Sequence, residues 1–342
     1  MSASELRRLI LVVGVGRSGT SLLAGILGQL GLHIPQPEVN ADDTNPRGFG
    51  EPRWVVDFHA RLLEERRVTV NDSRPAAWEA TGAAAEDEGA YAELRDWLGA
   101  QLGEHGAVVV KDPRTVWFLP LWTQCARELG VEPSFVTMLR HPAETLASAR
   151  KSYGTWQSAA SRAAAWLNVS LETEHLTRDR QRAFIRYEDL LADWRREVAR
   201  VGERLELPAL EAPDAERAAR VDAFVDPGLH RNRVGWEEHD VPPRVRDLAE
   251  SVWERLQPLA TRDGDDGAAR TALDADRSAF EALYAEAEAI AQSSITAVKR
   301  RRKRPPTPPP PPTLRMRLTR RVPERHRVRV RSALAALRGS RS

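Results

Sequence analysis

Cysteine is nearly missing from this 342-residue chain, with Cys125 standing alone. A disulfide framework and any thiolate metal cluster are therefore excluded, and the expected compartment is a reducing one, the cytoplasm. No apolar run approaches the roughly 20 residues that cross a bilayer. The run Leu9–Val13 is too short for the core of a secretory signal and leads directly into glycines. His, Asp and Glu do not recur at ligand spacing, so no metal is expected. Acid is almost absent from residues 299–342, which hold sixteen Lys or Arg against Glu324. That segment carries +15, so the whole-chain charge of +2 leaves −13 for the first 298 residues, and the basic balance belongs to the tail.

What is present begins at Leu9–Pro35. Leu9–Val13 has the unbroken aliphatic character of a strand buried on both faces. Gly14 and Gly16 interrupt it, and Leu22, Leu23, Ile26, Leu27 and Leu30 then recur at helical spacing up to Gly31. A strand, a glycine turn and a helix aim backbone N–H groups and a positive dipole end at an anion. Gly14, Gly19 and Ser21 occupy places of the nucleotide-binding pattern G-x-x-x-x-G-K-[ST], but Thr20 stands where that pattern has its lysine. A triphosphate site would lack its usual cation. Arg17 supplies one from upstream, with the hydroxyls of Ser18, Thr20 and Ser21 around it. A bare structural turn would not need this chemistry.

Downstream, Gln36–Pro52 is rich in Pro, Asn, Asp and Gly and reads as a loop over the cleft. Helices are expected over Trp54–Arg67, Ala90–His105, Trp117–Leu129, Ala143–Lys151, Ser158–Leu176, Arg244–Leu259 and Asp274–Val298. Strands are expected at Ala107–Lys111, Ser134–Leu139 and Ala183–Ile185, while Thr69–Glu88 reads as a partly disordered loop. Strands alternating with helices predict an α/β fold: a P-loop-type parallel sheet, helices on both faces, and a helical C-terminal part. The domain is expected over residues 1–298, with 299–342 a disordered Pro/Arg-rich basic tail. GRSGTS, KDPR and RHP all fall at carboxyl ends of strands, where such sheets bind ligands.

Arg140 and Ser148 lie across a strand end and into the next helix, so they can grip a second phosphate. Two phosphate subsites on one sheet suit a nucleotide phosphorylated at two places. Asp189 is read as a helix cap, and His141 as a packing or nucleotide-contact residue.

GRSGTS, KDPR, RHPAETLAS and RYEDLLAD together resemble the sulfotransferase family that uses 3′-phosphoadenosine 5′-phosphosulfate, over Leu9–Asp193. The likeness is to bacterial, carbohydrate and tyrosylprotein types more than to cytosolic aryl types. It implies that Gly16, Arg17, Ser18, Gly19, Thr20 and Ser21 bind the 5′-phosphosulfate, and that Arg140 and Ser148 bind the 3′-phosphate. LHRNR is only loosely similar to a late nucleotide-contacting loop of the family.

Sulfuryl transfer needs a base for the acceptor hydroxyl and cations at the bridging oxygen. Arg17 and Lys111 are the candidate cations, Lys111 having a salt bridge to Asp112 or another acid as its alternative. Glu51 is the candidate base, its alternative being an exposed loop carboxylate, with His230 as a rival base. The expected acceptor is a hydroxyl on a glycan, glycolipid or small metabolite, in a pocket made by Gly31–Trp54, Ser152–Leu176 and Phe224–Trp236. Competing readings are a P-loop small-molecule kinase and a non-catalytic nucleotide-binding module tethered to membrane. The tail reads first as a solvated segment, then as a basic strip on anionic lipid at the inner membrane surface. Nucleic acid is not expected, because no recognisable binding fold supports it.

Overall fold

The computed structural model describes residues 7–303 apart from 43–44, 46, 154–156, 227, 229–233 and 262–266. His230 and the rest of LHRNR lie outside the described residues, as does 304–342. Four strands, β1 (Arg8–Val13), β2 (Ala107–Lys111), β3 (Ser134–Leu139) and β4 (Arg182–Arg186), form one parallel sheet in the order β2-β1-β3-β4.

Alternation along β1 sends its side chains into two different cores. Leu9, Leu11 and Val13 pack with Val55, Phe58 and Leu62 of α2 (Arg53–Glu65), and with α4 (Glu88–Glu104) and α5 (Leu119–Glu128). Ile10 and Val12 pack instead on Leu23 and Ile26 of α1 (Thr20–Gln29). That side also receives α8 (Tyr187–Ala192), α9 (Trp194–Arg204) and α11 (Ala215–Phe224), with the single-turn α10 (Pro208–Glu211) between the last two. Helices thus cover both faces, which is why all of β1 beyond Arg8 is aliphatic. A third core joins Leu139 and Phe184 to α7 (Ala159–Leu176), α12 (Pro243–Leu256) and the start of α13 (Gly267–Lys303). Residue contacts divide the chain into Met1–Glu286 and Ala287–Ser342. In the second unit the described part is the end of α13, which continues through Lys303 into the opening of the basic segment.

Two sequence expectations need correction. The segment Thr69–Glu88 is ordered, with α3 (Ala77–Gly82) followed by a 3-10 turn at Ala83–Glu86. Its order comes from distant partners that local composition cannot show. Asn168 donates to the carbonyls of Asp72 and Arg74 at 3.0 and 3.1 Å and accepts from the Trp78 indole at 2.9 Å. Trp78 also stacks on Trp117, with ring centroids 3.9 Å apart. Asp189 is not a cap: α8 already starts at Tyr187, and Asp189 accepts from Arg186 at 2.6 Å. The cap in that stretch is Asp193, whose carboxylate accepts from the Arg196 N–H at the start of α9. Pro142 opens α6 (Pro142–Tyr153), where its missing N–H costs nothing.

Candidate active site

The register fixes the floor of the site. Val12 lies opposite Lys111, and Val13 opposite Thr137, so the β1 turn, Lys111 and the corner after Leu139 leave the sheet at the same end. The turn needs its glycines. Gly14 has φ +132° and Gly19 φ +103°, and a Cβ on Gly19 would stand 2.4 Å from the Tyr187 ring. Gly19 caps α1 without any side-chain hydrogen bond, and no acid sits in the first turn. The first N–H groups and positive dipole end of α1 are therefore kept for an anion. Arg17 itself is held at φ +74°, a conformation that costs a non-glycine residue of order 1–3 kcal/mol.

The turn and the α6 corner meet. Arg17 Nε donates to Ser148 Oγ at 3.1 Å, and Arg140 Nη1 donates to the Arg17 carbonyl at 3.3 Å. Arg140 is oriented from two further sides: Nε donates to Glu144 at 3.0 Å, and the guanidinium lies 4.3 Å from the centre of the Tyr187 ring. Its Nη2 is buried with no hydrogen-bond partner among the described residues, as is Ser18 Oγ. Two orphaned donors beside one turn are costly to the folded protein, and an anionic ligand would satisfy them.

On the other side of the turn, Lys111 Nζ donates to Glu51 Oε1 at 2.5 Å and to Ser21 Oγ at 3.0 Å. Glu51 is no exposed loop carboxylate; it is 7% exposed, and Lys111 is 2% exposed. The salt bridge weighed for Lys111 is real, but its partner is the candidate base. Burial pushes the Glu51 carboxyl above its usual range, outweighing the pull of Lys111 in the other direction. Burial likewise pulls the Lys111 ammonium down, against the attraction of Glu51. Both shifts narrow the gap between the ionised and neutral forms of the pair.

Gly16, Arg17, Gly19, Thr20, Ser21, Glu51, Lys111, Arg140 and Ser148 all line one cavity of about 610 Å³; Ser18 lies beneath the turn, buried. The three segments expected to shape the acceptor pocket contribute to the cavity too, through Phe49, Trp166 and Phe224 among others. Val70 and Asn71 also line it and were not anticipated, because they belong to the segment read as loop. Tyr187, under both Gly19 and Arg140, was signalled only by RYEDLLAD. His141 does not reach the cavity lining. Its Nε2 meets Glu250 at 3.0 Å, its Nδ1 accepts from the Ala143 N–H at 3.2 Å, and its ring packs edge-on to Trp236 and Trp253. Among the described residues, no group of three or more His, Cys, Asp or Glu is placed to hold a metal ion.

A family model described as "Sulfotransferase family" matches residues 10–212. Among solved structures, the sulfotransferase domain from the Synechococcus PCC 7002 olefin synthase is similar at 17% identity, over 75% of this chain and 98% of that one, with a TM-score of 0.42. No curated protein matches the chain significantly.

Proposed function

The chain belongs to the sulfotransferase family, and on that premise we propose how its residues divide the work. It is an enzyme that moves a sulfuryl group from 3′-phosphoadenosine 5′-phosphosulfate to an acceptor hydroxyl. The observation that carries the residue assignment is the shared cavity: Arg17, Arg140 and the Glu51–Lys111 pair all face it. Its described lining holds seven basic and three acidic side chains, a surplus of +4. The donor carries about four negative charges at neutral pH, so the two are matched.

In this reading the β1 turn and the N-terminus of α1 take the 5′-phosphosulfate. The buried Arg140, with Ser148 beside it, takes the 3′-phosphate on its orphaned Nη2. Arg17 joins the two halves, since it bonds Ser148 while its charge also acts on Lys111. The acceptor hydroxyl gives its proton to Glu51 as its oxygen attacks sulfur. The bond from sulfur to the bridging phosphate oxygen breaks, and Lys111 with Arg17 neutralises the charge that the leaving nucleotide gains. Glu51 paired to a cation would be a weak base in water; burial restores its affinity for a proton. The acceptor hydroxyl belongs to a glycan, glycolipid or small metabolite, and the basic tail acts as a lipid-facing strip.

Incubation with ³⁵S-labelled donor and cell extract, followed by identification of the labelled product, tests the acceptor class. Titration with adenosine 3′,5′-bisphosphate tests the donor site, where binding without Mg²⁺ is expected. A requirement for Mg²⁺, or preference for ATP, would overturn the donor assignment.

A further inference from the structure

Beneath Lys111 lies a chain of buried polar groups that the reaction as described does not use. His59 on α2, Asp112 after β2 and Trp122 on α5 are each at most 1% exposed. The Trp122 indole N–H lies 2.9 Å from His59 Nε2, and His59 Nδ1 lies 2.7 Å from Asp112 Oδ2. An indole nitrogen can only donate, so Nε2 must accept and Nδ1 must carry the ring proton. The direction of the relay is therefore fixed: Trp122 donates to His59, and His59 donates to Asp112. Asp112 Oδ1 accepts in turn from the Arg114 backbone N–H at 3.2 Å and from Arg114 Nη1 at 2.7 Å. Phe118 stacks on the imidazole, with ring centroids 5.2 Å apart, and fixes its plane.

The relay's ends matter more than its strength. Glu51 immediately precedes Pro52, the N-cap of α2, and His59 is in that helix. Lys111 ends β2, and Asp112 is the next residue. The His59–Asp112 bond therefore ties the helix that follows the base to the residue that follows the cation, about two helical turns from the base itself. We propose that Trp122, His59 and Asp112 are positioning residues that set the spacing and orientation of Glu51 against Lys111 for sulfuryl transfer. The proposal rests on Glu51 and Lys111 being the base and the cation.

A purely structural role predicts that any substitution here costs stability alone. The positioning role predicts a pattern. Asn places an amide donor where His59 Nδ1–H stands, so His59→Asn should keep kcat within a few-fold, whereas His59→Phe should lower it by up to about a hundredfold. Affinity for adenosine 3′,5′-bisphosphate should change little in either, because Arg140 and Ser148 are not touched. Asp112→Asn has a separate signature. The groups acting on Glu51 are Lys111, Asp112 and Arg114, and the Asp112 charge holds Glu51 up. Removing that charge should move the acidic limb of the kcat profile to lower pH. Asp112→Asn also sets N–H against N–H, at His59 or at Arg114. Adding Trp122→Phe frees His59 to take its other tautomer, so the double variant should be more active than the product of the single effects.

The experiment is kcat, donor KM and pH profile for these variants, with Glu51→Gln alongside and thermal unfolding as the check on folding. Equal loss in His59→Asn and His59→Phe, or a double variant no more active than the product of the single effects, would overturn the relay. If His59→Phe does not fold, the Trp122 double variant decides alone. Full turnover in Glu51→Gln would instead remove the base assignment, a different failure from either.

Discussion

At the scale of single residues, the site is decided by how burial competes with pairing. Glu51 must be ionised to accept a proton, and burial raises its pKa, so turnover should fall as pH drops through that raised value. Lys111 must be charged to meet the leaving oxygen, and burial lowers its pKa, so turnover should fall again as pH rises through the lowered value. The expected profile is a bell whose limbs belong to the coupled pair rather than to either group alone. Glu51→Gln should lower kcat by roughly 10²–10⁴-fold, keep donor binding, and flatten the acidic limb; a rate close to wild type would move the base elsewhere. Arg140 tests the other end of the nucleotide. Arg140→Ala removes the orphaned Nη2 and the stack on Tyr187, so calorimetry should show weaker binding of adenosine 3′,5′-bisphosphate with adenosine 5′-phosphate nearly unaffected. Equal losses for the two ligands would remove the 3′-phosphate role.

Elements carry the next level of constraint, clearest at the turn between β1 and α1. Gly19→Ala adds a methyl group 2.4 Å from Tyr187 and demands φ +103° of a residue that resists it. The backbone strain alone is of order 1–3 kcal/mol. Displacing Tyr187 also loosens Arg140, so the melting temperature and the nucleotide affinity should fall together. Gly16→Ala is the contrast, since its methyl would meet nothing closer than Asn71 Oδ1 at 4.0 Å, and its melting temperature should stay near wild type. A Gly19→Ala protein as stable as Gly16→Ala would mean that the turn tolerates other geometries. These elements were readable in the chain because their signals are local. Ala107–Lys111 and Ser134–Leu139 are observed with their expected bounds, being short runs rich in apolar and β-branched residues that lead into polar clusters. What escaped depended on partners far away in sequence. Thr69–Glu88 has no period of its own and is ordered by Asn168, 94 and 96 residues from the carbonyls it binds. The His59–Asp112–Trp122 relay spans three elements, and the sequence marks none of its members as a group. Glu51 was found as a residue but misread in one alternative as exposed, because a glycine-rich loop usually lies in solvent.

For the molecule as a whole, charge is distributed against its own average. Residues 1–298 carry −13, yet the cavity they build has a lining surplus of +4. A cationic cleft in an acidic body attracts the donor while the outer surface repels other polyanions. The segment from Lys299 onward, at +15, is the opposite case, and its target should be a surface rather than a cleft. No helix among the described residues is long and apolar enough to cross a membrane. Each Lys or Arg near an anionic leaflet contributes about 1 kcal/mol at physiological ionic strength, falling off within a Debye length of roughly 8 Å. The full chain should therefore sediment with vesicles containing phosphatidylserine, detach as salt is raised, and ignore neutral vesicles. A chain ending at Val298 should stay in the supernatant yet keep its affinity for adenosine 3′,5′-bisphosphate, because no residue assigned to that site lies beyond Asp226. If the shortened chain sediments as strongly as the full one, the body must hold the lipid and the tail has another task.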